Sequence, residues 1–320
     1  MFGTILVTLT CCAIPVVLYI FNLYRRHLRL PNWNQRYVFV TGCDSGFGRA
    51  LATQLDKAGV HVFAGCLNKE SKPGLKQECS KRLQPISLDV TNEKSIAEAV
   101  EYMTNTIPEG QGLGGLVNNA GVFHIFAPLE WLTKDDYDKT FAVNLHGLIS
   151  VTTACLPLLR EGAGRVVNMS SVNAISVRPA ACAYSITKWG IEAFTDTFRR
   201  EFYNTDMSAH IIQPGPFKTA IVSPEGMAKQ IQDRYVSLPD KISKHYGSKF
   251  FNQWKGRMLH LQDNQDTDLS KVTNAMTHAL FAMYPHARYR VGCSFLLWPM
   301  SMAPVWFSDW MYSLPRTDLK

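Results

Sequence analysis

From Tyr37 to Val291 the chain alternates short apolar runs, rich in β-branched residues, with longer stretches whose apolar positions recur at helical spacing. Strands buried on both faces and joined by crossover helices produce that rhythm. The runs predict strands at Tyr37–Val40, Val60–Ala64, Gln84–Leu88, Leu116–Asn118, Arg165–Met169, His210–Gln213 and Arg288–Val291. Helices are predicted at about 47–58, 93–105, 134–159, 184–203 and 268–283. The expectation is an α/β chain, a single doubly wound domain with a parallel sheet over residues 37–291. Between Pro216 and about Leu261 the rhythm breaks into a stretch rich in Lys, Gln, Tyr and Met. Placed after the sixth strand, this helical cap would cover the carboxyl end of the sheet, where ligands bind. Residues 216–261 are therefore expected to form a substrate lid, with a plain surface elaboration as the alternative.

The two ends depart from the pattern. Met1 to Tyr24 carries no charged side chain, and Arg25, Arg26, His27 and Arg29 follow together. About 20 apolar residues cross a hydrocarbon core, so 1–24 is expected to be a membrane anchor. A cleaved signal peptide would need a basic residue ahead of the apolar run and a small-residue cleavage site, and neither stands there. Residues 25–36 read as a basic linker that places the body on the cytosolic side of the membrane. Residues 292–320 are apolar and aromatic, with Trp298, Trp306 and Trp310. Pro299 and Pro304 interrupt a straight span, so a segment lying in the membrane interface is expected.

Composition narrows the classes. With 46% hydrophobic residues in 320, a large core is available. The 33 basic against 26 acidic residues give +7, and no basic run is interleaved with aromatics, so no nucleic-acid partner is expected. Eight cysteines at 11, 12, 43, 66, 79, 155, 182 and 293 show no framework spacing and read as reduced thiols. The nine histidines show no ligand spacing, so no metal is expected. The Asn-x-Ser sequon at Asn168 falls in a predicted buried strand and carries no glycosylation argument.

The chemistry lies in two motifs. Directly after the first strand comes Thr41-Gly42-Cys43-Asp44-Ser45-Gly46-Phe47-Gly48, opening a helix. Glycines there allow a tight turn and close approach of a pyrophosphate, and the helix N-terminus supplies free N–H groups. Downstream, Tyr184 and Lys188 stand one helical turn apart in YSITK. A fixed ammonium beside a phenol favours phenolate and would bring Tyr184 toward a working base. Taken singly, each has a dull reading: a YxxxK pair on a surface helix, a serine or asparagine that merely caps.

Gly42, Gly46 and Gly48, then NNAG at Asn118–Gly121, then Tyr184–Lys188, in that order, resemble the short-chain dehydrogenase/reductase family over about residues 37–291. The resemblance implies a Rossmann fold and further roles. Asp89 matches the acid that contacts adenine, and Asn118, Ala120 and Gly121 match the motif beside the cofactor. Pro214, Gly215 and Thr219 match the segment beside nicotinamide and pyrophosphate. Ser171, with Ser170 as a rival, matches the serine that orients the substrate oxygen. Asn144 matches the asparagine that bends a helix and holds a water joined to the lysine, and Tyr184 and Lys188 are expected to contact the cofactor too, the lysine at its ribose hydroxyls. TGCDSGFG, PGPFKT and the apolar leader are similar to a membrane-bound branch that includes retinol dehydrogenases and 17β-hydroxysteroid dehydrogenase type 6. That branch implies an endoplasmic reticulum membrane, a lipophilic alcohol substrate, and a homo-oligomer, dimer or tetramer.

Asp44 in the glycine turn would repel a 2′-phosphate, which favours NAD(H) over NADP(H). Against this, the second strand ends Gly65-Cys66-Leu67-Asn68 without the usual ribose-binding acid, and Lys69 is close by. The leading function is oxidation of a retinol or hydroxysteroid. A small hydroxy-acid dehydrogenase is the alternative, kept open by Lys229 and Arg234 in the lid. A membrane-tethered cofactor-binding protein without turnover is the alternative of another class.

Overall fold

All seven expected strands form, and they lie in one parallel sheet. The structure is a computed structural model that describes residues 14, 16–221, 223–260, 263, 265–293 and 297–313. The strands are β1 (Tyr37–Thr41), β2 (His61–Cys66), β3 (Leu83–Ser87), β4 (Leu113–Asn118), β5 (Arg165–Met169), β6 (Ser208–Pro214) and β7 (Arg288–Val291). Their spatial order is β3-β2-β1-β4-β5-β6-β7. The order reverses between β1 and β4, which opens a crevice at their carboxyl ends.

Two apolar layers sandwich the sheet. On one face α1 (Gly46–Lys57) is followed by α2 (Ser71–Glu78), a short helix the periodicity does not predict because only Leu75 of it is buried. On the other lies α3 (Glu93–Thr106), whose Ile96, Ala99 and Met103 pack on Phe63 and Leu116. The predicted helix at 134–159 is broken in two. It consists of α4 (Lys134–Phe141), a π-helical turn (Ala142–Gly147) and α5 (Leu148–Glu161). This stretch is apolar and long enough to cross a bilayer, yet Val151, Cys155 and Leu159 are fully buried against the sheet. It is a core helix. Next in the chain come α6 (Cys182–Glu201), α7 (Pro224–Val236), α8 (Asp240–Leu259) and α9 (Ser270–Phe281). Helix α9 returns to the first face, where Val272, Met276 and Leu280 share a core with Leu51 and Leu55 of α1.

The described part of 216–261 is mainly helical, in α7 and α8. Helices α7 and α8 enclose a separate small core of Met227, Ile231, Phe251 and Met258 around Trp131. Residues 25–36 differ from a free linker. Leu30 N donates to Phe281 O (2.8 Å), Met283 N to Leu28 O (2.6 Å), and His278 Nε2 meets Arg26 O at 2.9 Å. The basic stretch is thus strapped to the end of α9. Residues 16–26 are helical with exposed apolar side chains, and 1–13 and 15 of the expected anchor lie outside the described residues. Beyond β7 come α10 (Leu297–Met302) and α11 (Val305–Ser313), separated at Pro304, with Trp306 and Trp310 exposed. Residues 294–296 and 314–320, and the expectation for Trp298, lie outside those described.

Candidate active site

The glycine turn folds because its backbone takes conformations that side chains resist. Gly42 and Gly46 have φ of +70° and +58°. Gly48 is held more tightly still: a Cβ there would stand 2.2 Å from Gly42 O. Asn119 then clamps the turn, donating from Nδ2 to Thr41 O (2.9 Å) and Gly42 O (3.1 Å). The Thr41 hydroxyl accepts from the N–H groups of Asn119 and Ala120, each at 3.0 Å. Ser45 at the start of α1 makes no side-chain cap, so the first-turn N–H groups remain available to an anion. Phe47 stacks edge-on against Phe217 at 5.5 Å, and Thr219 lies over Gly46 with its Cβ 3.6 Å from where a Gly46 Cβ would be. Gly215 N donates to Val291 O (2.8 Å), and a Cβ at Gly215 would sit 2.0 Å from Gly292 O. A cradle that rejects side chains and ends on an uncapped helix is the shape a pyrophosphate requires.

The acids expected to read the adenosine end fall into place differently. Asp44 reaches across to the end of β2, where its carboxylate accepts from Leu67 N (3.0 Å), Asn68 N (2.8 Å) and Ser71 Oγ (2.8 Å). The turn thus places a carboxylate at the end of β2, where the strand itself carries none. Asp89 accepts from Thr91 N and Oγ1 at 2.9 and 2.7 Å, which shapes the loop after β3. Asn118 stands apart. Its Nδ2 donates to Thr152 Oγ1 and Asn168 Oδ1, each at 2.8 Å, so its side chain is part of a buried polar ladder beneath the crevice. Asn168 extends that ladder to Thr195 and is fully buried, which removes the sequon from solvent.

Ser171 follows β5, and Tyr184 and Lys188 lie on α6, whose Lys188 reaches back to the end of β5. The Ser171 hydroxyl lies close enough to the Tyr184 phenol to oppose the effect of burial on it. Ser171 Oγ also accepts from Asn173 N (3.2 Å), whereas Ser170 Oγ turns away to Lys188 O (3.4 Å). The geometry therefore selects Ser171 over Ser170. Lys188 Nζ lies 5.3 Å from the Tyr184 ring centroid and donates to Met169 O at 2.7 Å. Asn144 sits in the π-helical turn and exchanges two hydrogen bonds with Val122, N–H to Oδ1 at 2.7 Å and Nδ2 to O at 2.9 Å. Its Nδ2 also reaches Thr187 Oγ1 (3.3 Å), beside the lysine. Gly121 is small because a Cβ would press on Asn144 Oδ1 at 3.3 Å.

The electrostatics correct one expectation. Burial pushes the Tyr184 phenol up to about 12, with the Ser171 hydrogen bond opposing. Burial likewise pushes Lys188 down to about 7, and the Glu192 carboxylate one turn further on opposes that. Desolvation outweighs the charge effect because Lys188 is buried, Tyr184 is partly so, and the ammonium is aimed at a carbonyl. In the protein alone the phenol stays protonated.

Four residues here have roles that the motifs do not assign. Asn119 is the turn clamp, Thr187 links Asn144 to α6, and Glu192 is a buried carboxylate held by Gln213 (3.0 Å) and Arg288 (2.9 Å). The fourth, Phe123, lies against Tyr184 with ring centroids 4.5 Å apart. Two had a local signal: Glu192 in its i+4 spacing from Lys188, and Asn119 in its place inside NNAG.

Comparison with known proteins agrees with this geometry. Residues 36–230 match the family model of the short chain dehydrogenases. The chain is similar to retinol dehydrogenase 16 of Homo sapiens, 41% identical with 91% of this chain and 92% of that protein covered. It is also similar to 17-beta-hydroxysteroid dehydrogenase type 6 of Rattus norvegicus, 39% identical over 93% and 94%. Among solved structures, a short-chain dehydrogenase from Streptomyces avermitilis superposes with a TM-score of 0.68 at 24% identity, covering 89% of this chain and 99% of that one.

Proposed function

This chain belongs to the short-chain dehydrogenases, oxidoreductases that use NAD(P), and on that premise we propose that it interconverts a lipophilic alcohol and its carbonyl, the alcohol being a retinol or a hydroxysteroid. The observation that carries the reading is Tyr184, one helical turn from Lys188, lying beneath an aromatic wall. Phe123 covers Tyr184, and Phe126 stacks on Trp254 of the lid at 5.5 Å. Such a wall suits a large flat hydrocarbon. The small hydroxy acid is less well served, since Arg234 is engaged with Asp136 (2.7 Å) and Lys229 is exposed on α7.

The bound nicotinamide supplies the hydride acceptor or donor. Its dinucleotide would be held by Thr41, Gly42, Ser45, Gly46, Phe47 and Gly48 at the pyrophosphate, by Asp44 and Asp89 at the adenosine end, and by Ala120, Gly121, Pro214, Gly215 and Thr219 along the crevice. Tyr184 Oη takes the carbinol proton in oxidation and returns it in reduction. Ser171 Oγ donates to the same substrate oxygen and steadies its developing charge. Lys188 Nζ and the Asn144–Thr187 pair keep that hydroxyl placed. A positive charge arriving beside Tyr184 would oppose the desolvation that holds the phenol protonated. Asp44, presenting a carboxylate at the end of β2, supports NAD(H) over NADP(H).

Exposed apolar residues on helix 16–26, followed by Arg25, Arg26 and Arg29, support seating in the endoplasmic reticulum membrane with the body in the cytosol. The exposed Trp306 and Trp310 support a second, interfacial contact. The assembly proposed is a homo-oligomer, dimer or tetramer.

The test is NADH and NADPH formation by membranes containing the protein, offered retinols, androgens and hydroxy acids. Turnover of a retinol or androgen with NAD, absent in Tyr184→Phe, is the expected result. Turnover confined to hydroxy acids, or undiminished in Tyr184→Phe, would overturn the reading.

A further inference from the structure

Asp136 is wholly buried on the first turn of α4, outside the machinery described above. One oxygen closes the start of the helix, where Oδ2 accepts from Thr133 N (2.7 Å) and Thr133 Oγ1 (2.8 Å) in a capping box. The other oxygen joins two distant segments. Arg234 Nη2 on α7 reaches Asp136 Oδ1 at 2.7 Å, and His124 Nε2 reaches the same atom at 3.2 Å. Arg234 Nη1 also donates to Trp131 O (3.1 Å). Burial raises the Asp136 carboxyl, but the Thr133 hydrogen bonds, Arg234 and His124 outweigh it and hold the carboxyl below its ordinary value.

These partners belong to the two segments that the proposed function places around the substrate. His124 adjoins Phe123, whose ring lies on Tyr184, and Arg234 belongs to the lid helix whose Ala228 and Ile231 pack beside Ile125 and Trp131. Trp254 of α8 adds a parallel tie, donating from Nε1 to Phe126 O at 2.9 Å. A cap needs only Oδ2. The second oxygen ties the lid to the wall, and a buried charge of this kind holds its geometry because loss of either partner leaves the other uncompensated.

We propose that Asp136 is a positioning residue for the substrate site: through Arg234 and His124 it sets the distance between lid helix α7 and Phe123, and so the width of the cleft above Tyr184. The proposal rests on residues 216–261 acting as the substrate lid. Width then selects substrates, since a cleft held at one spacing accepts a flat ring system or polyene, while a small alcohol is indifferent to it.

The test uses the full chain in membranes with NAD, comparing a hydroxysteroid with cyclohexanol. Arg234→Gln should raise KM for the hydroxysteroid at least about tenfold, with kcat and the KM for NAD within about twofold, as loss of uniform substrate binding requires. Arg234→Lys should recover most of the affinity, and cyclohexanol should not discriminate. Hydrogen exchange should quicken in α7 and α8 and stay unchanged in α6. Asp136→Asn should reproduce the hydroxysteroid effect, and if it does not fold the arginine variants decide alone. An unaltered hydroxysteroid KM in Arg234→Gln overturns the proposal, as does a joint loss of kcat and both affinities. If the wild-type protein oxidises neither of these alcohols nor a retinol, the activity reading fails separately. Exchange then judges the tie: no quickening of α7 and α8 overturns it.

Discussion

The cofactor half and the lid half of this molecule are built by opposite rules. Around the glycine turn, backbone meets backbone: a Cβ at Gly42, Gly48 or Gly215 would come within 2.8, 2.2 or 2.0 Å of main-chain atoms. In the lid, rings meet rings, and Gly247 and Gly256 have nothing within 4 Å of their Cβ positions. A main-chain cradle admits one ligand shape and tolerates no substitution, while a wall of side chains can be recut without disturbing the sheet. The contrast suggests that the family's common cofactor and its diverse alcohols are read by separate parts of one fold.

The contrast can be broken at several points. The largest effect belongs where the halves meet: Tyr184→Phe should lower NADH formation by about 10³-fold, the scale of general acid–base catalysis. Binding of NAD, followed by quenching of tryptophan fluorescence, should be unaltered in that variant. Next, Gly48→Ala should weaken NAD binding by about tenfold or more and cost about 1–3 kcal/mol of stability, because the extra methyl overlaps Gly42 O. Calorimetry with and without NAD separates the two losses, and normal NAD affinity would show that the cradle is looser than its contacts imply.

A subtler effect concerns Lys188, whose value near 7 lies below the ordinary 10.5. Between those values the unfolded chain binds more protons than the folded one, so this group's contribution to stability rises with pH across the window. Below about pH 7 its penalty is full. Lys188→Met removes the penalty, so its gain in melting temperature over wild type should be larger at about pH 6.5 than at about pH 9.5. Equal gains at both would mean that the lysine is charged at no cost. Smallest of all, Gly256→Ala in the open face of α8 should stabilise by about 0.5–1 kcal/mol and leave NAD affinity untouched.

Residue by residue, legibility followed distance along the chain. Strand β5 and strand β7 form at the boundaries their apolar runs imply, while α2 went unseen because Leu75 is its only buried residue. The split of the 134–159 helix was not in its periodicity, since the π-helical turn serves Asn144, whose partner is Val122. Asn118 matched a cofactor motif, yet its side chain bonds within the core ladder, and Asn119 beside it is the clamp. The linker at 25–36 looked free because its partners on α9 are about 250 residues away.

By itself the amino-acid order determined the parallel sheet, the phosphate-shaped turn and the tyrosine–lysine pair. Each rests on short-range geometry: strand and helix periods, positive φ at glycine, and one helical turn between partners. Only the folded chain decided that Asp44 bonds the end of β2, that Asp136 meets Arg234, and that burial moves Tyr184 up and Lys188 down. Those facts depend on which atoms are brought together and how much water they keep, and neither quantity is written in the spacing of residues along a chain.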